Sequence, residues 1–183
     1  MKEINNYFHI TYEKEELDSI SLINQIAESG WIDKDVTIIN CSPDYSSRLT
    51  QLINHKLSYL NNNEIFEVID LPMPYPIMSQ IWDTQEAKFI QFENYLFDWI
   101  RKYIIPTSKY LFVDSGTLRG KNFMKVYQGI KGRVDLDKIK FASLYLQSDS
   151  IFTPDFFVQK FDKEKQGGLL FEWENINNPN WDY

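Results

Sequence analysis

The segment YLFVDSGTLRGKNFMK, Tyr110 to Lys125, crowds together a carboxylate, two glycines and three cations: Asp114, Gly116, Arg119, Gly120, Lys121 and Lys125. A carboxylate can hold hydroxyl groups, cations can hold an oxyanion, and glycines let backbone N–H groups turn toward a ligand. Those are the parts of a phosphate cup. Tyr110 to Val113 read as a strand buried on both faces, Gly116 and Gly120 fall in a short polar loop, and an amphipathic run follows. Strand, loop and helix N-terminus in that order are the setting in which an open parallel sheet binds anions beyond its carboxyl edge. An ordinary βα turn, whose glycines serve only to bend the chain, accounts for the same residues equally well.

The flanking elements must place that loop. Glu15 to Ser29 carries Leu17, Ile20, Ile23 and Ala27 at helical spacing and stops at Gly30, which predicts a helix with a glycine at its end. VTIINC, Val36 to Cys41, predicts a buried strand and SPDYSS, Ser42 to Ser47, a turn. Leu49, Leu52, Ile53, Leu57 and Leu60 then form one face of a second helix that Asn61 to Asn63 end. Ile65 to Leu71 is a second strand, joined to the first by a parallel crossover. LPMPYPIM, Leu71 to Met78, is too rich in proline for regular structure and reads as a loop or flap.

From Glu86 to Tyr103 the residues Phe89, Phe92, Leu96, Trp99, Ile100 and Tyr103 share one helical face, a pattern of core packing rather than of a cofactor box. Beyond the central loop, Phe123, Val126, Tyr127 and Ile130 form the core face of another helix, and Ile139 to Gln147, apolar on both faces, an inner strand. Pro154 and Asp155 precede a short strand, Phe156 to Val158, and a hairpin-like turn at Gln166 to Gly168 leads into LLFEWE. Tyr7, Phe8, Ile10 and Tyr12 form a short β extension at the start.

Composition narrows the chemistry. A chain of 183 residues with 43% hydrophobic content builds one packed domain, 1–183. Cys41 is the only cysteine, so an internal disulfide and a multi-cysteine zinc site are excluded. With only His9 and His55 besides, a metal site would consist of carboxylates and phosphate oxygens, as magnesium accepts. The formal charge of −7 argues against a nucleic-acid partner. No apolar run approaches the roughly 20 residues of a membrane span, and MKEINNYFHI lacks the layout of a signal peptide, so no membrane partner and a cytoplasmic setting are expected.

The order of these elements resembles the type I phosphoribosyltransferases, and within them the xanthine and hypoxanthine-guanine branch. Phe8 to Asn40 is similar to the family's opening strand, helix and first sheet strand; Tyr110 to Asn122 to its ribose-phosphate loop; FASLYL, TPDFFV and LLFEWE to its closing strands. The resemblance implies an α/β fold: an open parallel sheet flanked by helices, with a small hood-like β region at the termini. It implies phosphoribosyl pyrophosphate or a nucleotide as ligand, magnesium as the accompanying cation, and a phosphate site over Asp114, Ser115, Gly116, Thr117, Arg119, Gly120, Lys121 and Asn122. Asp44, Tyr45 and Ser46 stand where the family holds pyrophosphate. Asp155 matches an aspartate on the base side, and with Asp114 it would serve any magnesium; an aspartate after proline is equally a turn residue.

The departures from the family pattern are chemical. The second of its paired carboxylates is Ser115, the proton acceptor near the base is Leu118, and the threonine-glycine-x-threonine cradle is Arg119, Gly120, Lys121, Asn122. A carboxylate at Asp44 repels pyrophosphate where the family has a basic residue and glycines, and the stacking residue of the base site is replaced by Gly167 and Gly168. Three readings remain open: a phosphate- or nucleotide-binding protein with transfer altered or lost, an active phosphoribosyltransferase with an unusual acceptor, and a non-catalytic scaffold. If active, it is a magnesium-dependent glycosyltransferase. Aromatic residues such as Tyr75, Trp82, Phe97 and Trp181 would suit a homo-oligomer interface if exposed.

Overall fold

The computed structural model describes residues 7–60, 65–71 and 86–172. In chain order, strand β1 (Tyr7–Ile10) and helix α1 (Tyr12–Glu28) precede β2 (Val36–Asn40), α2 (Pro43–Leu60) and β3 (Glu67–Asp70). Helix α3 (Glu86–Tyr103), β4 (Lys109–Thr117), α4 (Lys121–Ile130) and β5 (Ile139–Gln147) follow, then β6 (Phe156–Phe161), the short α5 (Lys163–Gln166) and β7 (Gly168–Phe171). β2 to β6 form one parallel sheet in the order β3-β2-β4-β5-β6, with Asn40 opposite Val113 and Asp114 opposite Ser143. The expected α/β architecture is what forms.

β4 and β5 are central because apolar side chains cover both of their faces. On one face Leu111, Val113 and Ala142 pack with Leu22, Ile26, Leu49 and Ile53 of α1 and α2. On the other, Phe112 and Phe141 pack with Ile100 of α3 and with Phe123, Val126 and Ile130 of α4. The two helices on that side cross closely at Gly129, where a Cβ would stand 2.6 Å from Ile100 Cδ1 and 2.8 Å from Phe97 Cδ1. Phe97 is thereby partly buried against that core; Tyr75, Trp82 and Trp181, like the proline-rich segment 72–78, lie outside the described residues.

Four expectations are corrected. Helix α1 turns Leu17 and Ile20 outward, 61% and 43% exposed, and buries Glu15, Ser19, Leu22, Ile23 and Ile26. The inward stripe includes two polar residues, which apolar spacing cannot reveal: Glu15 accepts from Arg48 at 3.3 Å, and the Ser19 hydroxyl donates to the Glu15 carbonyl at 2.6 Å. Second, Ser42 to Ser47 is no extended turn, because α2 begins at Pro43; proline suits a first helical position, where its missing N–H is not needed. Third, β4 continues to Thr117, its end pairing with Tyr145 and Leu146, so Gly116 belongs to the strand and the loop shrinks to Leu118–Gly120.

Fourth, no hairpin joins β6 to LLFEWE. A single helical turn and Gly167, at φ +78°, carry the chain across to β7, which pairs in parallel with β1, Tyr7 opposite Gly168 and Ile10 opposite Phe171. The Glu172 carboxylate then accepts the Tyr12 N–H at 2.7 Å, tying this two-stranded hood to the start of α1. Leu169 of the hood approaches the end of β4, 3.2 Å from where a Gly116 Cβ would stand. Among the described residues no helix is long and apolar enough to cross a membrane.

Candidate functional site

The sheet order fixes where a ligand crevice should lie. From β2 the chain moves outward to β3, then returns to place β4 on the other side of β2, so the topology reverses between β2 and β4. In open α/β sheets that point, beyond the carboxyl ends of the strands, is the binding crevice. Its two walls are the β2–α2 junction and the β4–α4 junction, and they differ in chemistry.

On the β4 side, Gly120 adopts the left-handed conformation, φ +73°, immediately before α4, and no side chain caps the helix start. A Cβ at Gly120 would meet Ser150 Oγ and would lie 2.7 Å from the Phe152 backbone nitrogen, so only glycine fits. The loop is held from outside by the Ile151 N–H, which donates to the Arg119 carbonyl at 3.2 Å. The first N–H groups of a helix have no intrahelical partner, and the positive end of its dipole adds to their pull on an anion. Arg119 is exposed beside this turn; Lys121 and Asn122 are half-buried within it. Thr117, 4% exposed, has the one buried side-chain oxygen among the described residues that lacks a hydrogen-bond partner.

Asp114 sits between the walls. It is 7% exposed and accepts the Ser42 hydroxyl at 3.0 Å across from β4 to the end of β2. Burial raises its carboxyl from 3.8 to about 6, although the Ser42 hydroxyl and the Gly116 and Ser115 N–H groups pull the other way. Burial, with Asp114 close by, also pushes the Cys41 thiol well above its ordinary value, so Cys41 is a packed hydrophobe and not a nucleophile. The neighbouring Ser115 is likewise buried.

On the β2 side the polar groups are engaged with one another. The Ser42 N–H donates to Ser46 Oγ at 3.3 Å, and the Ser46 hydroxyl in turn lies 2.5 Å from Asn40 Oδ1 and 3.0 Å from the Ser42 carbonyl. Asn40 Nδ2 donates to Ser47 Oγ at 3.1 Å and to Asp70 at 2.7 Å, while the Ser47 hydroxyl donates to the Pro43 carbonyl. The Cys41 N–H is taken by the Val113 carbonyl at 2.8 Å. Asp44 and Tyr45 lie in the first turn of α2. Ser42, Asn40, Ser47 and Asp70 were not among the expected site residues. Serines four apart with a proline between them, Ser42-Pro43 to Ser46, were the available signal of a helix start.

Asp155 stands apart from this crevice. It precedes β6, whose Phe156 pairs with Ala142, so it lies at the amino end of that strand. There its carboxylate takes Lys140 Nζ at 2.8 Å and the Phe141 N–H at 2.9 Å. The structure therefore does not bring Asp155 to Asp114. A divalent cation needs several oxygen ligands, and no group of three or more His, Cys, Asp or Glu suited to one exists among the described residues. Asp114, already accepting from three donors, offers a cation a single carboxylate.

No protein-family model matches the sequence, and no curated protein matches it. Solved structures do. A purine phosphoribosyltransferase from Pyrococcus horikoshii Ot3 superimposes over 93% of this chain and 95% of its own, with TM-score 0.59 at 17% identity. The fold is that of the type I phosphoribosyltransferases. The xanthine-guanine-hypoxanthine phosphoribosyltransferase of Helicobacter pylori matches over 92% of this chain and 93% of its own, with TM-score 0.54 at 15% identity. A hypothetical protein from Neisseria gonorrhoeae with bound ppGpp matches over 96% and 93%, with TM-score 0.57 at 11% identity. The likeness in fold covers 92% to 96% of this chain in the three structures.

Proposed function

We propose that this protein binds the phosphate of a phosphorylated ribose or nucleotide at the turn from Arg119 to Asn122, and that phosphoribosyl transfer is altered or lost. The observation that carries this reading is the uncapped start of α4 behind the left-handed Gly120, at the carboxyl edge where the topology reverses. Arg119 and Lys121 supply positive charge beside it, and Asp114 is placed to accept a ribose hydroxyl, as its resemblance to the family's retained carboxylate implies. The ppGpp bound by the Neisseria protein of similar fold supports a nucleotide as ligand class. Magnesium would arrive coordinated by the ligand's own phosphates, since Asp114 offers no further carboxylate beside it.

Three features support loss of transfer. Leu118 offers no proton acceptor, Ser115 replaces a carboxylate, and the β2 wall uses its own donors internally where a pyrophosphate leaving group needs stabilisation. A thermal-shift titration with adenosine and guanosine monophosphates, ribose 5-phosphate and phosphoribosyl pyrophosphate, with and without magnesium, tests the reading. A saturable rise in Tm with the monophosphates is expected, and purine bases with phosphoribosyl pyrophosphate should give no pyrophosphate release. A flat Tm at millimolar ligand would remove the binding claim, and turnover would remove the claim about transfer.

A further inference from the structure

How much of a ribose the site can hold depends on the acceptor positions that Asp114 has left. An ionised carboxylate offers about four lone-pair positions, enough for both hydroxyls of a cis-diol and two protein donors besides. Here three protein donors already use it: the Ser42 hydroxyl, on Oδ2 at 3.0 Å, and the N–H groups of Ser115 and Gly116. One position remains. The residue is only 7% exposed, so little of it is open to a ligand.

The three donors are held in place. The two N–H groups belong to the residues that directly follow Asp114 in β4, so the strand itself carries them to the carboxylate. Ser42 is 3% exposed, and its hydroxyl has no solvent to turn toward. Its N–H donates to Ser46 Oγ at 3.3 Å, and its carbonyl accepts the Ser46 N–H at 2.7 Å, which fastens it to the start of α2. A ligand hydroxyl that displaced the Ser42 hydroxyl would leave a buried donor unpaired, at a cost greater than the exchanged bond returns. Ser115, at 2% exposure, gives a ligand no second hold beside Asp114.

Resting on the nucleotide reading above, we infer that Asp114 holds one hydroxyl of the ligand's ribose and not the cis-diol, and that Ser42 sets this limit by occupying Oδ2. Ser42 is a positioning residue, since it touches the carboxylate and acts on the ligand through it. The class of ligand widens accordingly. A phosphorylated pentose needs a hydroxyl at one of the two ring carbons only, so one of the two monodeoxyribonucleotides binds as well as the ribonucleotide.

Calorimetric titrations of the whole chain with adenosine 5′-monophosphate and with its 2′-deoxy and 3′-deoxy forms read the limit directly. They are made at pH 8, above the value of about 6 at which Asp114 titrates, so that the carboxylate is ionised throughout. One deoxy form should bind about tenfold more weakly than the parent, and the other within about threefold of it. In Ser42→Ala the freed position lets Asp114 take the second hydroxyl, so the tolerated deoxy form should now fall about fivefold or more behind the parent. Tenfold losses with both deoxy forms in the unaltered protein, or with neither, would overturn the inference and leave phosphate binding at α4 standing. An unchanged pattern in Ser42→Ala would overturn the role given to Ser42. No binding of the parent monophosphate would overturn the nucleotide reading and the inference together.

Discussion

Reversing both Arg119 and Lys121 to glutamate should abolish the stabilisation conferred by a nucleoside monophosphate while leaving the free protein folded. Glutamates in the first turn of a helix interact favourably with its dipole, so α4 itself is not threatened. The same charges stand beside the anion's seat and repel a phosphate at close range. A ligand at a hundred times its dissociation constant stabilises a native protein by about 2.7 kcal/mol. For a chain of this size that is a rise in Tm of roughly 5–10 °C, all of which the double variant should lose. A rise that persists in the variant would put the ligand elsewhere on the molecule.

Asp114 should make the protein less stable at pH 7 than at pH 4. Its folded carboxyl titrates at about 6 against 3.8 when unfolded, so the native state holds its proton more tightly. Stability from this group is complete below the unfolded value and is lost as pH rises through the folded one. The difference corresponds to about 3 kcal/mol between the two limits. Asp114→Asn has no proton to lose, so its unfolding free energy should lack that decline between pH 4 and 7. The amide keeps only one acceptor oxygen for the three donors around it, so the variant is weaker by a constant amount, and the slope is the readout. Urea melts across that range measure it; parallel slopes in the two proteins would mean that Asp114 is not the buried titrating group. Asp33 does not confuse the measurement: partial burial is outweighed by its bonds to Lys109 and the Asp35 N–H, so its carboxyl is lowered and acts below pH 4.

Much of the fold was legible because its strongest signals are local. The apolar runs Tyr110 to Val113 and Ile139 to Gln147 identify the inner strands, and the row Phe123, Val126, Ile130 identifies the face of α4 that meets them. Helix α1 was legible as a helix but not in its orientation, since Glu15 and Ser19 are buried through partners on the chain itself and on α2. The pairing of β1 with β7 joins residues near opposite ends of the described chain, and local periodicity carries no trace of it. Gly120 and Asp114 in the site were readable from residue type and position. The closure of the β2 wall was not, because it depends on where a helix begins and on which way the Ser46 hydroxyl turns.

The central claim is that a phosphate sits on the start of α4, and amide chemical shifts test it residue by residue. In a titration of the isotope-labelled protein with ribose 5-phosphate, the Lys121 and Asn122 amides should show the largest, saturable displacements, because a hydrogen-bonded oxyanion deshields the N–H it accepts from. Smaller changes at Arg119 and Asp114 would complete the pattern. Saturable displacements centred on another part of the chain, with Lys121 and Asn122 unmoved, would contradict the account.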